Sequence, residues 1–384
     1  MNCPVCHSEN NKQCITLENS PVYQHPVPDP AIIPAPYSVN LYYRTCIECS
    51  HVFQQGNHQD ILEKIYSHHY YTPPPSNIGT TFRDDFELFL KQLALSEKST
   101  PSLLEVGASS GEMLATLKKA LSTNNADGFE PNIESAEAAR AKGLSIYTEF
   151  FTSNTVKKLT KSYDLIYSRH VIEHIFDFDD FFKATNLISN DDTRLMIETP
   201  SLDWAIKNNS TVAFHIEHIH VFSEYSLVEL ANQFGWHKEL STITPAGNLI
   251  TSFKKCKSDI QPPTFPINLE DMQKKNTDVW AHINKRAKDK KTILWGAGSC
   301  GISLISSTNV KPAFLVDGNP DKAGKYFCGF EQAVHFAPTV IKDLIEKGDD
   351  IDMLVIISSS FYLEIKENLS ALGWKGDVYI PEIF

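Results

Sequence analysis

The sequence predicts an α/β protein in three parts: a zinc-binding N-terminal module, a doubly wound parallel-sheet core and a second parallel-sheet unit behind it. Three observations predict this class. Two CxxC pairs, Cys3/Cys6 and Cys46/Cys49, stand ahead of any strand–helix alternation. Buried-strand runs then alternate with helix-patterned runs, twice over, and such alternation argues for parallel strands joined by crossover helices. A glycine-rich turn follows the first strand of each alternation, at Gly107–Gly111 and at Gly296–Gly301.

The first part, residues 1–98, holds the cysteine pairs, a proline-rich loop "HPVPDPAIIPAP" and the segment "IYSHHYYTPPPS", and closes on a helical "FRDDFELFLKQLAL". The second, residues 99–256, runs from the strand "SLLEVGA" and the helix "GEMLATLKKAL" through strands at "ADGFEP", "LSIYTEF", "SYDLIYS" and "TRLMIETP". Its ending differs: "GWHKELSTIT", "PAGN" and "LITSFKK" read as an antiparallel hairpin. A linker over 257–266 leads to the third part, residues 267–384. That part opens on a helix over about 268–288 and continues with strands in "KTILWGAGSCG", "PAFLVDGNP", "DMLVIISSS" and "DVYIPEIF".

With 42% apolar and 21% charged residues the chain is an ordinary globular mixture. No run approaches the roughly eighteen apolar residues of a membrane span, and "MNCPVCHSEN" lacks the basic and apolar regions of a signal peptide. A cytoplasmic protein without membrane contact is expected. The formal charge of −12 argues against nucleic acid, whose phosphates call for Lys and Arg. It leaves room for an anionic small molecule in a local pocket. The sequence does not set the oligomeric state.

Eight cysteines in a chain of this kind favour metal over disulfides. Two CxxC turns offer four thiolates, which fill a tetrahedral Zn²⁺ shell and leave no open position. Cys3, Cys6, Cys46 and Cys49 are therefore expected to hold a structural zinc. Glu105-Val-Gly107-Ala-Ser109-Ser-Gly111 ends a strand and opens a helix, where glycines let backbone N–H groups approach a ligand. Glu130, in "GFEP" at the tip of the next strand, is placed to take ribose hydroxyls. The same GxSxG also matches a hydrolase nucleophile elbow with Ser109 as nucleophile. Its place on the first strand, with Glu130 following, argues for a cofactor loop.

"LLEVGASSGEML", "GFEPN", "YDLIYSRHVIEHIFD" and "LMIETPS", with the terminal hairpin, resemble the class I S-adenosylmethionine (SAM)-dependent methyltransferases. The resemblance implies a class I methyltransferase core with SAM held by Glu105, Gly107, Ser109, Gly111 and Glu130. Ser168, Arg169 and His170 would line the site after the fourth strand, and Glu149 and Phe150 would lie near the adenine. Over the whole chain, a four-cysteine module, this core, an "EH" ahead of a helix and a C-terminal Rossmann-like domain are similar to the sugar C-methyltransferases. Those enzymes methylate carbon 3 of a nucleotide-linked 4-keto-deoxysugar, which implies a nucleotide-sugar substrate here.

"HIEHIHVF", His215 to Phe222, puts three histidines and a glutamate into one short stretch. HxxHxH is not a usual ligand spacing, so acid–base work is the expectation. Methylating carbon requires loss of a proton beside a ketone, and histidine can take it near neutral pH. The resemblance assigns this work to Glu217 and His218. It gives Tyr70 or Tyr71 the hydrogen bond to the developing enolate oxygen. His215, expected to touch substrate, stands where the family places a tyrosine, and "HHYYTPPPS" carries three prolines in a segment the family fills with tyrosine and serine. His170 and His174 are four apart and would share a helix face if a helix has begun there; His174 is expected to be mainly structural.

Gly296-Ala-Gly298-Ser299-Cys-Gly301, with Asp317 on the next strand, reads alone as a dinucleotide site. Beside a methyltransferase core, Gly296, Gly298 and Ser299 are expected instead to help bind the substrate's nucleotide, and a lobe without ligand is the third reading. The functional expectation is SAM-dependent methylation at C3 of a 4-keto-deoxysugar with His218 as base. The alternative is O- or N-methylation of a sugar or other small metabolite.

Overall fold

The structure is a computed structural model that describes all residues except 57, 69–79, 94–99, 256–268, 360 and 383–384. Strands β1 (Asn11–Pro21), β2 (Ser38–Cys46) and β3 (Val52–Gln54) form an antiparallel meander, followed by helices α1 (Gln59–His68) and α2 (Thr80–Lys91). The β1–β2 hairpin occupies the long gap between the cysteine pairs. Its register, Asn11 opposite Cys46, brings the second pair back to the first.

The core follows with β4 (Leu103–Val106), α3 (Glu112–Ala120), β5 (Ala126–Phe129), α4 (Ile133–Ala141), β6 (Ser145–Tyr147), β7 (Leu165–Arg169), α5 (Phe178–Leu187), β8 (Arg194–Pro200) and α6 (Leu202–Asn208). It closes with β9 (His220–Val221), α7 (Glu224–Gln233), β10 (His237–Ile243) and β11 (Asn248–Lys254). Its seven strands are ordered β10-β11-β8-β7-β4-β5-β6. Strands β6 to β8 run parallel, while β11 inserts antiparallel between β8 and β10. Leu103, Leu104, Leu165, Ile166 and Leu195 are fully buried, because a parallel sheet is covered on both faces. The chain leaves β4 toward β5 on one side and returns as β7 on the other, so the β4–β7 carboxyl ends form a topological switch point.

The last part contains α8 (Glu270–Ala287), β12 (Lys291–Trp295), α9 (Ser299–Ser307), β13 (Phe314–Asp317), β14 (Val334–Phe336), α10 (Ala337–Lys347), β15 (Met353–Ile357), α11 (Tyr362–Leu372) and β16 (Asp377–Tyr379). Its strands are all parallel, in the order β14-β13-β12-β15-β16. β14 has no counterpart in the sequence reading.

Two local expectations are corrected. The strand expected over "LSIYTEF" ends at Tyr147, so Glu149 and Phe150 lie beyond it. His170 and His174 share no helix face: Ile172–His174 is a single 3-10 turn, and His170 has φ +52°. α7 begins at Glu224 because Ser223 is its cap; Ser226 is the reciprocal partner in a capping box.

The three parts interlock. β9 belongs to the second part in sequence but pairs with β3, Val52 opposite Val221 and Phe53 opposite His220, and completes the sheet β1-β2-β3-β9. Cys3, Val5, Cys49 and Phe53 share a buried cluster with Phe222, Leu227 and Val228. Val27 of the proline-rich loop exchanges two 2.8 Å backbone hydrogen bonds with Tyr326. Thr16 N donates to Gln273 Oε1 at 3.0 Å, and Thr211 Oγ1 to Asn276 Oδ1 at 2.7 Å. Among the described residues, no helix is long and apolar enough to cross a membrane.

Candidate active site

The glycine turn after β4 sits at the switch point. Gly107, Ser109 and Gly111 all have positive φ, at 75°, 46° and 77°. A Cβ at Gly107 would meet Val171 Cγ2 at 2.5 Å, and one at Gly111 would meet Leu144 Cδ1 at 2.3 Å. Glycine there lets the turn pack against its neighbours as well as expose backbone N–H groups. Glu130 follows β5. Its Oε2 accepts from Ser109 N at 2.7 Å and its Oε1 from Asn132 N at 2.8 Å. A carboxylate has about four lone-pair sites, so two remain for a diol. Burial raises its pKa, against these two N–H bonds.

Glu105 is buried beneath the turn, with Tyr167 Oη donating to its Oε2 at 3.1 Å. Burial pushes its carboxyl up to about 8, opposed by the Arg169 charge and the Tyr167 bond. After β7, Ser168 Oγ is buried without a hydrogen-bond partner. Arg169 pairs with Glu198 and lies over the Phe86 ring, 5.2 Å from its centroid. Phe150 is 64% exposed, and Glu149 pairs with Lys158. The open lone pairs of Glu130, the turn's left-handed backbone and the orphaned Ser168 hydroxyl together suit SAM.

The second centre is built on the turn after β7 and on the 215–218 loop. Glu173 is fully buried; its Oε2 accepts from Thr199 Oγ1 at 3.0 Å. Its Oε1 lies 3.3 Å from His170 Nδ1 and 4.0 Å from His218 Nε2, outside hydrogen-bond geometry, and has no hydrogen-bond partner. Burial works to raise the Glu173 pKa, but His170 beside it and the histidine charges around it hold it at about 2. His218 Nδ1 meets Ala213 O at 2.8 Å. A carbonyl only accepts, so Nδ1 carries the proton and Nε2 keeps its lone pair. Burial, with His215 and His174 nearby, holds the His218 pKa well below 6.5, so the ring is neutral at pH 7.

The loop is held from the N-terminal sheet. Tyr43 Oη donates to His215 O and His218 O at 2.8 and 3.0 Å. Gln54 Nε2 reaches His215 O, Ile216 O and His218 O at 2.9, 2.9 and 3.1 Å. His215 stacks on His218 with ring centroids 3.7 Å apart. It also lines a cleft of about 590 Å³ between β1, the 211–215 loop, α8 and α9, where Gln24, Asn276, Trp280 and Ser299 contribute. The described lining contains no Lys or Arg, so amides and hydroxyls dominate it.

Of the residues singled out in the sequence, the structure gathers Glu105, Gly107, Ser109, Gly111, Glu130, Ser168, Arg169 and His170 around the switch point. Glu217 lies beside His218, and its backbone carbonyl accepts from His174 Nδ1 at 2.7 Å. The carboxylate facing His218 is Glu173. His220 parts from the other two histidines: its Nε2 donates to Ile175 O and its Nδ1 accepts from His51 Nε2, each at 3.0 Å. Tyr70 and Tyr71 lie outside the described residues. Ser299 lines the cleft; Gly296 and Gly298 do not. A Cβ at Gly296 would meet Ser358 O at 2.4 Å. Asp317 accepts from Ala297 N at 2.7 Å and pairs with Lys322 at 3.1 Å.

Sequence reasoning missed Glu173, Thr199, Tyr43 and Gln54. The signal for Glu173 is its place directly before His174. Nothing local marks Tyr43 or Gln54. At the N-terminus, Cys3 and Cys49 Sγ lie 3.5 Å apart, as do Cys6 and Cys46 Sγ. Zn–S bonds of about 2.3 Å imply S···S edges of about 3.8 Å, so the cluster fits a four-thiolate centre after a small expansion.

A family model described as a methyltransferase domain matches residues 81–240. No curated protein matches the chain. Among solved structures, the chain is similar to an S-adenosylmethionine-dependent methyltransferase from Clostridium acetobutylicum, at 12% identity over 44% of this chain and 89% of that one, TM-score 0.37. It is similar to a magnesium protoporphyrin IX methyltransferase from Synechocystis, at 12% identity over 51% and 93%, TM-score 0.37. A SAM-dependent methyltransferase from Aquifex aeolicus gives 15% identity over 46% and 94%, TM-score 0.37. Likenesses at this level carry no argument about chemistry. The domain match spans the glycine turn, Glu130, the β7 turn and the 215–218 loop.

Proposed function

For a SAM-dependent methyltransferase with a class I core, which the domain over residues 81–240 makes this protein, we propose that the acceptor is a nucleotide-linked 4-keto-deoxysugar, methylated at C3. The observation that carries this reading is the state of His218. It is neutral, its Nε2 lone pair is available, and it lies between the switch point and the His215 side of the cleft. Methylation of oxygen or nitrogen needs no carbon acid to be deprotonated; methylation of carbon beside a ketone does.

The turn after β4, Glu130 and the residues after β7 would hold SAM. Bound there, SAM would supply an electrophilic methyl group to the enolate carbon, its S–CH₃ bond breaking to leave S-adenosylhomocysteine. The chain's own residues do the rest. His218 Nε2 removes the C3 proton, and the C–H electron pair moves into the enolate. The Glu173 carboxylate, 4.0 Å away, stabilises the imidazolium that results. Tyr43 and Gln54 keep the loop in register. His215, with a buried Nδ1 that has no hydrogen-bond partner, offers the sugar a polar contact. The amide- and hydroxyl-lined cleft, with the N-terminal turn of α9 on its wall, would take the sugar and its nucleotide. Tyr70 or Tyr71 would meet the enolate oxygen. Cys3, Cys6, Cys46 and Cys49 would hold a structural zinc that anchors β3 and, through it, β9.

The test is solvent exchange. With S-adenosylhomocysteine bound and dTDP-, UDP-, GDP- or CDP-linked 4-keto sugars supplied in D₂O, one sugar should gain deuterium at C3. His218→Gln should lose that exchange while still binding S-adenosylhomocysteine. Methyl transfer to a sugar without any C–H exchange would instead establish the O- or N-acceptor.

A further inference from the structure

One nitrogen each of His174 and His218 and an oxygen of Glu173 lie within 4.8 Å of one another. Each histidine is oriented for ligation. Nδ1 of His174 donates to Glu217 O at 2.7 Å, and Nδ1 of His218 donates to Ala213 O at 2.8 Å, which leaves both Nε2 lone pairs available. Metal-bound imidazoles are commonly fixed in this way, through a backbone carbonyl on the other nitrogen. Glu173 is likewise oriented by Thr199 Oγ1 on Oε2, while its fully buried Oε1 has no hydrogen-bond partner. The ion pair with His170 Nδ1, 3.3 Å away, is what offsets the burial of that oxygen, and a bound cation would complete it.

We propose that Glu173, His174 and His218 form a metal site, separate from the four cysteines, that takes a divalent transition cation. Two imidazoles and one carboxylate suit Zn²⁺, Co²⁺, Ni²⁺, Mn²⁺ or Fe²⁺ over Mg²⁺ or Ca²⁺. Ligand atoms around Zn²⁺ sit about 3.3 Å apart, so side-chain rotation must draw in three atoms that now lie within 4.8 Å of one another, His218 Nε2 and Glu173 Oε1 from 4.0 Å. Three protein ligands leave positions for water. The cation occupies the lone pair that proton removal needs, so its binding switches the enzyme off. That consequence rests on His218 being the base; the binding does not.

The experiment uses the full chain, zinc-loaded, dialysed against Co²⁺ and counted by elemental analysis. The wild-type protein should hold one more metal per chain than Glu173→Gln and than His174→Gln. The extra cobalt should show d–d bands without the sulfur-to-metal charge transfer that exchange into the cysteine site would give. Equal melting curves establish that the variants are folded, and two variants guard against one failing. Equal metal content in wild type and both variants overturns the site. If the extra metal binds and methyl transfer falls, recovering on chelation, both halves stand. If it binds and turnover is unchanged or higher, the inhibitory half falls, and with it His218 as base, while the site remains.

Discussion

Glu105 and Glu130 are two carboxylates of one crevice with different duties. Glu105 is buried beside Tyr167, and its pKa of about 8 lies above the 4.5 it has when unfolded. Between those values the native state keeps a proton that the unfolded chain has lost, so stability falls as pH rises through that window and levels off above it. The slope is at most about 1.4 kcal/mol per pH unit. Glu105→Gln should abolish it: melting temperatures of variant and wild type will converge near pH 4.5 and separate by pH 8.5, with the variant higher. Glu130 is gripped at both oxygens by N–H groups that stay in place. Glu130→Gln removes the charge a ribose diol would meet, and a hydrogen bond to a charged group contributes about 1.5 kcal/mol or more. Calorimetry should give roughly tenfold weaker S-adenosylhomocysteine binding.

At the scale of elements, β9 is the device that matters. Two residues of the core segment complete the N-terminal sheet, and the loop before them is pinned by Tyr43 and Gln54. Gln54→Leu removes the side-chain amide that reaches three backbone carbonyls and leaves Tyr43 alone to hold His215 O and His218 O. It should cost about 1–3 kcal/mol of stability, lower kcat, and leave S-adenosylhomocysteine affinity unchanged. Loss of affinity together with kcat would mean that the loop also shapes the cofactor crevice. The four-cysteine cluster lies behind the same strand, so stripping the zinc proposed for it should reproduce this kinetic signature.

For the whole molecule, the cleft exists only where β1, the 211–215 loop, α8 and α9 meet. The buried Thr211–Asn276 hydrogen bond ties two of these parts. Thr211→Val should destabilise by about 1–3 kcal/mol, because Asn276 Oδ1 loses its donor. It should weaken binding of the proposed sugar-nucleotide acceptor more than S-adenosylhomocysteine binding. Trp280→Ala removes cleft wall and should raise KM for the acceptor without moving the melting temperature in step.

The alternation of strand and helix runs, the glycine turn with Glu130, the closing hairpin and the paired CxxC turns were all legible in sequence. Each is set by neighbours within a few residues, where backbone geometry and local periodicity act. Glu173 was less legible, because a carboxylate beside a histidine says nothing until folding buries one of its oxygens. His220 and His218 look alike in "HIEHIHVF", yet one is locked to His51 and the other stands open beside Glu173. Only the tertiary structure separates them. The partner that decides each role comes from a distant segment, and hydrogen bonds across such distances leave no period in the chain.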